Sequence, residues 1–159
     1  MVPLEIERKF LVNKELWQAT RRSAGELYTQ AYLHREAGLT IRVRVVGTTG
    51  YLTIKGPQEG CSRPEFEYAV PAEDAEEIIR LFGGSCIRKI RTRIPAGSHT
   101  WEVDEFLEEN SGLVVAEIEL THPDEAFERP AWLGEEVTHD WRYSNSELSV
   151  RPYQRWEGE

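Results

Sequence analysis

Apolar and polar residues alternate along much of the chain, and a period of two is typical of β-strands that bury one face. The alternation is strict between Leu39 and Val46, where apolar residues fill the odd positions and Thr40, Arg42 and Arg44 fill the even ones. Segments of this kind predict about eight strands, at residues 4–10, 28–35, 39–46, 51–55, 63–70, 87–94, 99–106 and 113–121.

Helical signals are fewer. Asn13 is a candidate N-cap for a short helix that we expect to run to about Gly25. Pro71 begins a second helix, which has an acidic first turn and ends at the Gly83–Gly84 pair. Its predicted apolar stripe consists of Ile78, Ile79, Leu81 and Phe82. The other predicted segments are a short helix at 123–127 and a loop at 132–159, with one or two helical turns around 146–150.

The polar faces of the predicted strands carry ordered sets of charges. Glu5 and Glu7 share a face with Lys9, and two such carboxylates lie about 7 Å apart and repel by roughly 2–3 kcal/mol at an effective dielectric of about 20. On one isolated strand, a solvated surface explains this pattern. The repetition of charged sets on successive strands favours a functional interior. The remaining sets are Arg42/Arg44, Lys55, Glu65/Glu67, Lys89/Arg91/Arg93, Glu102/Asp104 and Glu117/Glu119.

A closed barrel accommodates these charges better than a sandwich does. A barrel can place the charged faces in a wet lumen, where the two signs neutralise each other, and turn the apolar faces outward under helices. We therefore expect a mainly β (α+β) fold: an eight-stranded antiparallel β-barrel tunnel with a charged lumen and helices packed outside. Residues 1–159 are expected to form a single domain.

Composition narrows the possible partners. The formal net charge is −9, which excludes a general nucleic-acid-binding or anionic-membrane-binding surface. Cys61 and Cys86 lack metal-ligand or CxxC spacing and are interpreted as reduced thiols, with one disulfide left open as an alternative. We find no signal peptide and no apolar run that could span a bilayer, so the expected location is cytoplasmic.

The predicted lumen has the chemistry of a phosphate site. Arginine guanidiniums bind phosphate oxygens through two hydrogen bonds, and lysines act as point charges. The basic residues that would converge on a small anionic substrate are Arg42, Arg44, Lys55, Lys89 and Arg91. The carboxylates are too numerous to be counter-ions alone, and their hard oxygens suit Mg²⁺ or Mn²⁺. Basic residues beside acid-held metal are what phosphoryl transfer requires, and no P-loop is present to do this work instead.

An ordered series of motifs resembles the CYTH superfamily, also called triphosphate tunnel metalloenzymes. The series begins with the ExExK segment at residues 5–9 and covers nearly the whole chain. It continues through residues 30–33, 42–44, 53–56, 65–67, 89–91, 102–106, 117–120, 132–138 and 142–145. Within the family, the chain is most similar to small bacterial members that hydrolyse inorganic tripolyphosphate.

The resemblance implies a metal-dependent triphosphatase and assigns expected roles by position. The main metal carboxylates would be Glu5, Glu7, Glu117 and Glu119. Further acidic residues, for a second metal or for orienting the attacking water, would be Glu65, Glu67 and Asp104. The phosphate clamp would be Lys9, Arg42, Arg44, Lys55, Lys89 and Arg91. Lys9 and Tyr32 would polarise or orient the reacting phosphate.

Some expectations remain open. Arg63 and Arg93 are equally suited to the clamp and to ion pairing at the rim. Within the superfamily, an adenylate cyclase is the alternative enzyme, and a non-catalytic polyphosphate-binding module is the alternative from another class. The chain could also form a homodimer. The four histidines lack ligand spacing, Cys61 has no partner arrangement for a nucleophile, and packing roles are expected for Trp17, Trp101, Trp132 and Trp141.

Overall fold

Antiparallel strands dominate residues 1–156, which are the residues that the computed structural model describes. Within them lie nine strands: β1 (Leu4–Val12), β2 (Glu26–Glu36), β3 (Leu39–Val46), β4 (Thr49–Lys55), β5 (Ser62–Pro71), β6 (Cys86–Ala96), β7 (His99–Phe106), β8 (Val114–Glu119) and β9 (Leu133–Glu136). The helices of the same range are α1 (Lys14–Gln18), α2 (Ala72–Phe82) and α3 (Asn145–Leu148). Short 3₁₀ turns lie at Glu108–Asn110, Trp141–Tyr143 and Tyr153–Arg155.

Eight of the strands close into a ring. The sheet order is β5-β4-β3-β2-β6-β7-β8-β1, and β1 pairs again with β5. The closing register places Leu4 opposite Pro64 and Glu5 opposite Arg63. The expected eight-stranded antiparallel tunnel is therefore confirmed, and β3 and β7 have the predicted bounds.

A ninth strand lies in a segment that the sequence predicts as loop. β9 pairs with β1 outside the ring, with Phe10 opposite Glu136. The side chains reinforce this pairing, because Arg8 donates from Nε and Nη2 to the two carboxylate oxygens of Glu136 at 2.8 and 2.7 Å. Leu-Gly-Glu-Glu shows no apolar alternation, so the strand depends on its partner rather than on its own pattern.

Two helix predictions need correction. α1 ends at Gln18 instead of near Gly25, and the Arg22 guanidinium there donates to the Trp17 carbonyl at 2.5 Å. Asn13 caps the helix as expected, by accepting from the Leu16 amide at 3.0 Å. Residues 123–127 form no helix. The Glu125 carboxylate there accepts from the Thr121 amide at 2.7 Å and is hydrogen-bonded to His99 of β7.

α2 packs on the outer faces of β3 and β4. A Cβ atom at Gly50 would lie 2.7 Å from the Ala75 Cβ, so only glycine permits this close approach. Part of the predicted apolar stripe is wrong, however. Leu81 and Phe82 are 58% and 68% exposed, whereas the next residue, Gly83, is buried against Ala31 of β2, so these two side chains point away from the sheet.

An aromatic core lies between the outer face of the ring and the loops that cover it. Trp132 packs edge-to-face on Trp17 and on Trp101, with ring centroids 5.3 and 5.8 Å apart. Packing is thus confirmed for these three tryptophans. It is wrong for Trp141, which is 57% exposed and borders the tunnel interior instead of the aromatic core.

A second core closes one end of the tunnel. Ile87, Phe106 and Val115 occupy lumen-facing positions, each two residues from a charged lumen residue on the same strand. Leu148 of α3 packs among them, with Tyr143, Tyr153 and Trp156 alongside. The C-terminal segment therefore blocks this end, an arrangement that strand alternation does not predict. The last three residues of the predicted 132–159 loop lie outside the described residues.

Both cysteines have free thiols, as expected. Among residues 1–156, no helix combines the length and the apolar character needed to cross a membrane.

Candidate active site

The interior of the ring forms a cavity of about 480 Å³, to which all eight ring strands contribute. Alternation along each strand aims its charged residues inward, while the opposite face packs against helices and loops. Thirteen of the fourteen predicted site residues line this cavity: Glu5, Glu7, Lys9, Tyr32, Arg42, Arg44, Lys55, Glu65, Glu67, Lys89, Arg91, Glu117 and Glu119. The fourteenth, Asp104, is completely buried behind them.

Three glutamates form the candidate metal centre. Glu5, Glu65 and Glu119 each offer a carboxylate oxygen, and these oxygens lie within 4.8 Å of one another. Burial and the hydrogen bond with Glu5 raise the pKa of Glu65 to about 7. Burial and the charge of Glu5 also raise the pKa of Glu119. Such mutual repulsion among hard oxygen donors fits a divalent cation of the Mg²⁺ or Mn²⁺ type.

A lysine lies against this acidic group. Lys55 Nζ contacts both oxygens of Glu5 at 3.0 and 3.1 Å and lies 3.3 Å from Glu65. The pKa of Glu5 is lowered because Lys55 and hydrogen bonds outweigh the effect of its burial. The ammonium therefore supplies the local positive charge that these carboxylates require.

Glu7 and Glu117 form a second acidic pair, on adjacent strands. Burial and the Glu117 charge raise the pKa of Glu7 well above its usual range. Although Glu117 is also buried, the Lys9 ammonium and a hydrogen bond from Glu7 hold its pKa well below the usual range. One proton shared between the two carboxyl groups accounts for both directions.

Arg42 and Arg44 project from β3 into the cavity. Arg44 Nε donates to Gln30 Oε1 at 2.8 Å, while burial and the charges of Arg42 and Arg91 lower the Arg44 pKa to about 10. Arg42 lies 3.7 Å from Glu67, and its buried Nε has no hydrogen-bond partner within residues 1–156. Both guanidiniums thus retain capacity to bind anion oxygens.

The closed end of the cavity holds a network of buried charges. Arg91 binds both oxygens of Asp104, at 2.8 and 2.9 Å. Lys89 Nζ lies 2.8 Å from Asp104 and donates to Asn145 Oδ1 at 2.8 Å. Burial lowers the pKa of Lys89 to about 7 despite the adjacent carboxylate. Arg91 and Lys89 thus contact both carboxylate oxygens of Asp104. That Asp104 contributes to a metal site stays a prediction.

Lys9 and Tyr32 line the same cavity with different partners. Lys9 Nζ donates to the Tyr143 carbonyl at 3.3 Å, so the C-terminal segment holds this side chain. Tyr32 interacts with Arg42. Burial lowers the pKa of the Arg42 guanidinium, but Tyr32 and nearby glutamates outweigh this effect, so the pKa of Arg42 is raised. The predicted joint action of Lys9 and Tyr32 on a phosphate stays a prediction.

Arg63 and Arg93, whose roles the sequence leaves open, lie at the rim of the cavity. Arg63 donates to the Gly56 carbonyl at 2.9 and 3.2 Å and so holds the loop between β4 and β5. Arg93 is half exposed, lies 3.1 Å from Glu26 and donates to the Tyr28 hydroxyl at 2.9 Å.

Several polar lumen residues were missed by sequence reasoning. Alternation puts Tyr28 and Gln30 on the face of Tyr32 on β2, and Glu102 was already expected in the charged lumen with Asp104, but none of the three was given a site role. Asn145 could not have been identified in this way, because it belongs to the segment that enters the closed end. Its Oδ1 accepts from Gln30 at 3.1 Å as well as from Lys89.

His99 and His34 lie apart from the acidic cluster. His99 is hydrogen-bonded to Glu125 on the outer side of the ring, and His34 lies 3.7 Å from Glu36 near the end of β2.

The chain is similar to known proteins along nearly its whole length. The CYTH domain profile matches residues 3–153. An inorganic triphosphatase of Acetivibrio thermocellus is 44% identical over 153 residues, which cover 96% of this chain and 97% of that protein. One of Nitrosomonas europaea is 36% identical over 155 residues, covering 92% and 97%. A solved inorganic triphosphatase structure superposes with a TM-score of 0.62 at 30% identity, covering 91% of this chain and 97% of that one.

Proposed function

The chain belongs to the CYTH domain family, and on that premise we propose that it is a metal-dependent triphosphatase. The reaction is hydrolysis of the phosphoric anhydride bond of inorganic tripolyphosphate, which yields pyrophosphate and phosphate. Two relatives that share 44% and 36% of its residues are named inorganic triphosphatases, which supports this substrate class.

One observation carries the proposal: a single enclosed cavity combines a compact carboxylate group with arginine and lysine side chains. The carboxylates of Glu5, Glu65 and Glu119 have the donor chemistry of a divalent cation site. The basic residues have the chemistry of a polyphosphate clamp. A pure anion receptor gains little from three clustered carboxylates, whereas metal-dependent phosphoryl transfer requires both sets.

Glu5, Glu65 and Glu119 would hold Mg²⁺ or Mn²⁺, with Glu7 and Glu117 as a further acidic set beside them. The ion, when bound, neutralises phosphate charge and helps to orient the reactants.

The side chains of the chain itself account for the remaining work. Arg42, Arg44 and Arg91 bind phosphate oxygens, with Lys55 and Lys89 as point charges. Lys9 and Tyr32 orient the phosphate that reacts. Water attacks its phosphorus in line, the new P–O bond forms as the bond to the pyrophosphate leaving group breaks, and a carboxylate accepts the proton. Glu67 is suited to orient this water, because Thr53 donates to it at 2.9 Å and fixes its position.

A substrate panel tests the function. Purified protein is assayed for phosphate release from tripolyphosphate, ATP, thiamine triphosphate and pyrophosphate, with Mg²⁺ and Mn²⁺ in parallel and with EDTA as control. We expect metal-dependent release that is fastest from tripolyphosphate. Absence of metal-dependent release from every triphosphate would contradict the proposal.

The same panel separates the alternatives. Conversion of ATP to cyclic AMP with release of pyrophosphate would identify an adenylate cyclase. Calorimetric binding of tripolyphosphate without turnover in the presence of Mn²⁺ would identify a binding module.

We also propose that residues 1–159 form one domain and that two copies can associate. Leu4, Phe66 and Tyr68 are exposed on the outer faces of β1 and β5, which are adjacent strands. An apolar surface of this kind suits a second copy of the chain. Light scattering after size exclusion gives the molar mass, and a monomer at all concentrations would rule out the dimer.

A further inference from the structure

Tyr28 lies between two arginines of the predicted phosphate clamp. Its strand, β2, is flanked by β3 and β6 in the ring. Arg44 reaches the ring from β3 and Arg91 reaches it from β6, with guanidinium carbons 4.9 and 4.8 Å from the ring centroid. The tyrosine is only 4% exposed.

The strand registers explain this placement. Arg44 is directly opposite Gln30, and Arg91 is directly opposite Glu26, so the two arginines flank Tyr28 diagonally from opposite sides. The three side chains project into the lumen from neighbouring strands. The ring therefore stands where two like-charged guanidiniums would otherwise face each other across β2.

We infer that Tyr28 is a positioning residue that separates Arg44 and Arg91 and holds both guanidiniums in the geometry needed to bind a polyphosphate. This inference rests on the proposed function, because it concerns the same site. Tyr28 acts through the two arginines and is not assigned a contact with the reacting atoms.

Electrostatics favour this role over space filling. The face of an aromatic ring carries negative potential and attracts a cation within about 6 Å of its centroid, most strongly where water is excluded. Both guanidiniums meet that distance. The ring thus adds an attraction to those that Asp104 gives Arg91 and Gln30 gives Arg44, and it offsets part of the repulsion between the two arginines. An aliphatic residue of similar bulk would fill the space without this attraction.

The hydroxyl group fixes the ring. It accepts a hydrogen bond from Arg93 Nη2 at 2.9 Å, and Arg93 is itself paired with Glu26 at 3.1 Å and lies 3.5 Å from Glu102. The rim arginine thus anchors the tip of the tyrosine, and the ring face anchors the two clamp arginines. Phenylalanine would keep the ring face and lose only the anchor.

Tyr28→Leu and Tyr28→Phe test the inference, with Val12→Ala as the control. Val12 is buried in the outer aromatic core, away from the lumen. Tripolyphosphate binding is measured by calorimetry in EDTA, where no turnover occurs, and kcat and KM are then measured with Mg²⁺. Thermal denaturation reports the folded state of each variant.

We expect Tyr28→Leu to weaken metal-free binding by about tenfold and to raise KM by a similar factor, with a smaller change in kcat. Tyr28→Phe should restore affinity to within about threefold of the wild type, since the ring face remains. Val12→Ala should lower thermal stability without changing affinity. Should Tyr28→Leu fail to fold, Tyr28→Met takes its place with the same expectation.

Three results would overturn the inference: unchanged affinity in Tyr28→Leu, no rescue by Tyr28→Phe, or an equal loss of affinity in Val12→Ala. A wild-type protein that binds tripolyphosphate without hydrolysing it would contradict the proposed function alone, because the metal-free binding series would still test Tyr28. A wild-type protein that binds no tripolyphosphate, either in EDTA or with Mg²⁺ or Mn²⁺, would overturn both proposals.

Discussion

Glu5 links the two kinds of charge in the tunnel. Its side chain is 8% exposed and touches Lys55, while its oxygen lies within 4.8 Å of those of Glu65 and Glu119. A carboxylate held in this way is already desolvated and oriented, so a cation that binds there would need little rearrangement of its ligand. The proposed metal site therefore depends more directly on Glu5 than on residues that lack these contacts.

Glu5→Gln should lower kcat/KM for tripolyphosphate by about a hundredfold or more, because the amide removes one of the clustered charges. Mn²⁺ affinity, measured by calorimetry, should fall as well. The fold should persist, since the amide is close to the carboxylate in size. Glu105→Gln, on the outer face of β7, is a matched control. Unchanged Mn²⁺ affinity in Glu5→Gln would remove Glu5 from the metal site.

Sequence could predict site residues wherever a strand presents them. Arg42 and Arg44 follow from alternation on β3, and Glu117 and Glu119 follow in the same way on β8. Asn145 does not, because its position depends on how the C-terminal segment folds back. The sequence could not predict the partners of Asp104 either, because the pairing of β6 with β7 decides which cation lies next to which carboxylate.

An ion pair adds to the backbone pairing that holds β9 against β1. The Arg8 guanidinium, with help from Thr138, lowers the pKa of Glu136 to about 2. A carboxyl group with a lowered folded-state pKa stabilises the protein above its unfolded pKa, and this stabilisation is lost as the pH falls toward the folded value. The acid sensitivity of the β1–β9 contact therefore lies between about pH 4.5 and pH 2.

Glu136→Gln should lower the free energy of unfolding by about 1 kcal/mol at pH 7, a figure reduced from the full pKa shift because the pair is partly exposed to solvent. Urea denaturation at pH 7, 4 and 2.5 should show the difference from wild type shrinking as the pH falls. Glu77→Gln, in the exposed pair with Arg80 on α2, should cost less than about 0.5 kcal/mol. A constant difference across the pH range would contradict the assignment.

The contact between α2 and β4 is a steric one. Gly50→Val should destabilise the fold by about 2 kcal/mol, because its Cβ would meet the Ala75 Cβ at 2.7 Å. KM for tripolyphosphate should change little, since this contact lies on the outer face of the ring. Gly38→Ala is the matched control, because a Cβ there meets no atom within 4 Å. Equal denaturation midpoints for the two variants would contradict the steric account.

Elements were predictable from the sequence when their own residues specify them. β3 has strict alternation and the predicted bounds. β9 has only four residues and forms because it pairs with β1, so no local pattern in its sequence predicts it. At 123–127, where a helix was predicted, Glu125 binds Thr121 and also His99 of β7, and local propensity does not contain such a contact with a distant strand.

At the scale of the whole molecule, the ring brings acidic and basic side chains together in one lumen. Apolar packing outside the ring and at its blocked end supports a lumen that is itself largely polar. Burial and the neighbouring Glu5 raise the pKa values of Glu65 and Glu119, so the charged forms of the central carboxylates are disfavoured. Binding a divalent cation in this centre should therefore stabilise the entire fold, and not only the groups that touch it.

Mg²⁺ or Mn²⁺ at a hundred times its dissociation constant should add about 2.7 kcal/mol of stability, equivalent to a rise in Tm of about 5–10 °C for a domain of this size. Differential scanning fluorimetry across a metal titration measures the shift, and EDTA should reverse it. Glu119→Gln should lose most of the rise, because it removes one of the three clustered carboxylates. Glu125→Gln, whose carboxylate binds Thr121 and His99 outside the ring, should keep it. If both variants responded to the metal as the wild type does, stabilisation would arise from surface carboxylates and the tunnel would not be the metal site.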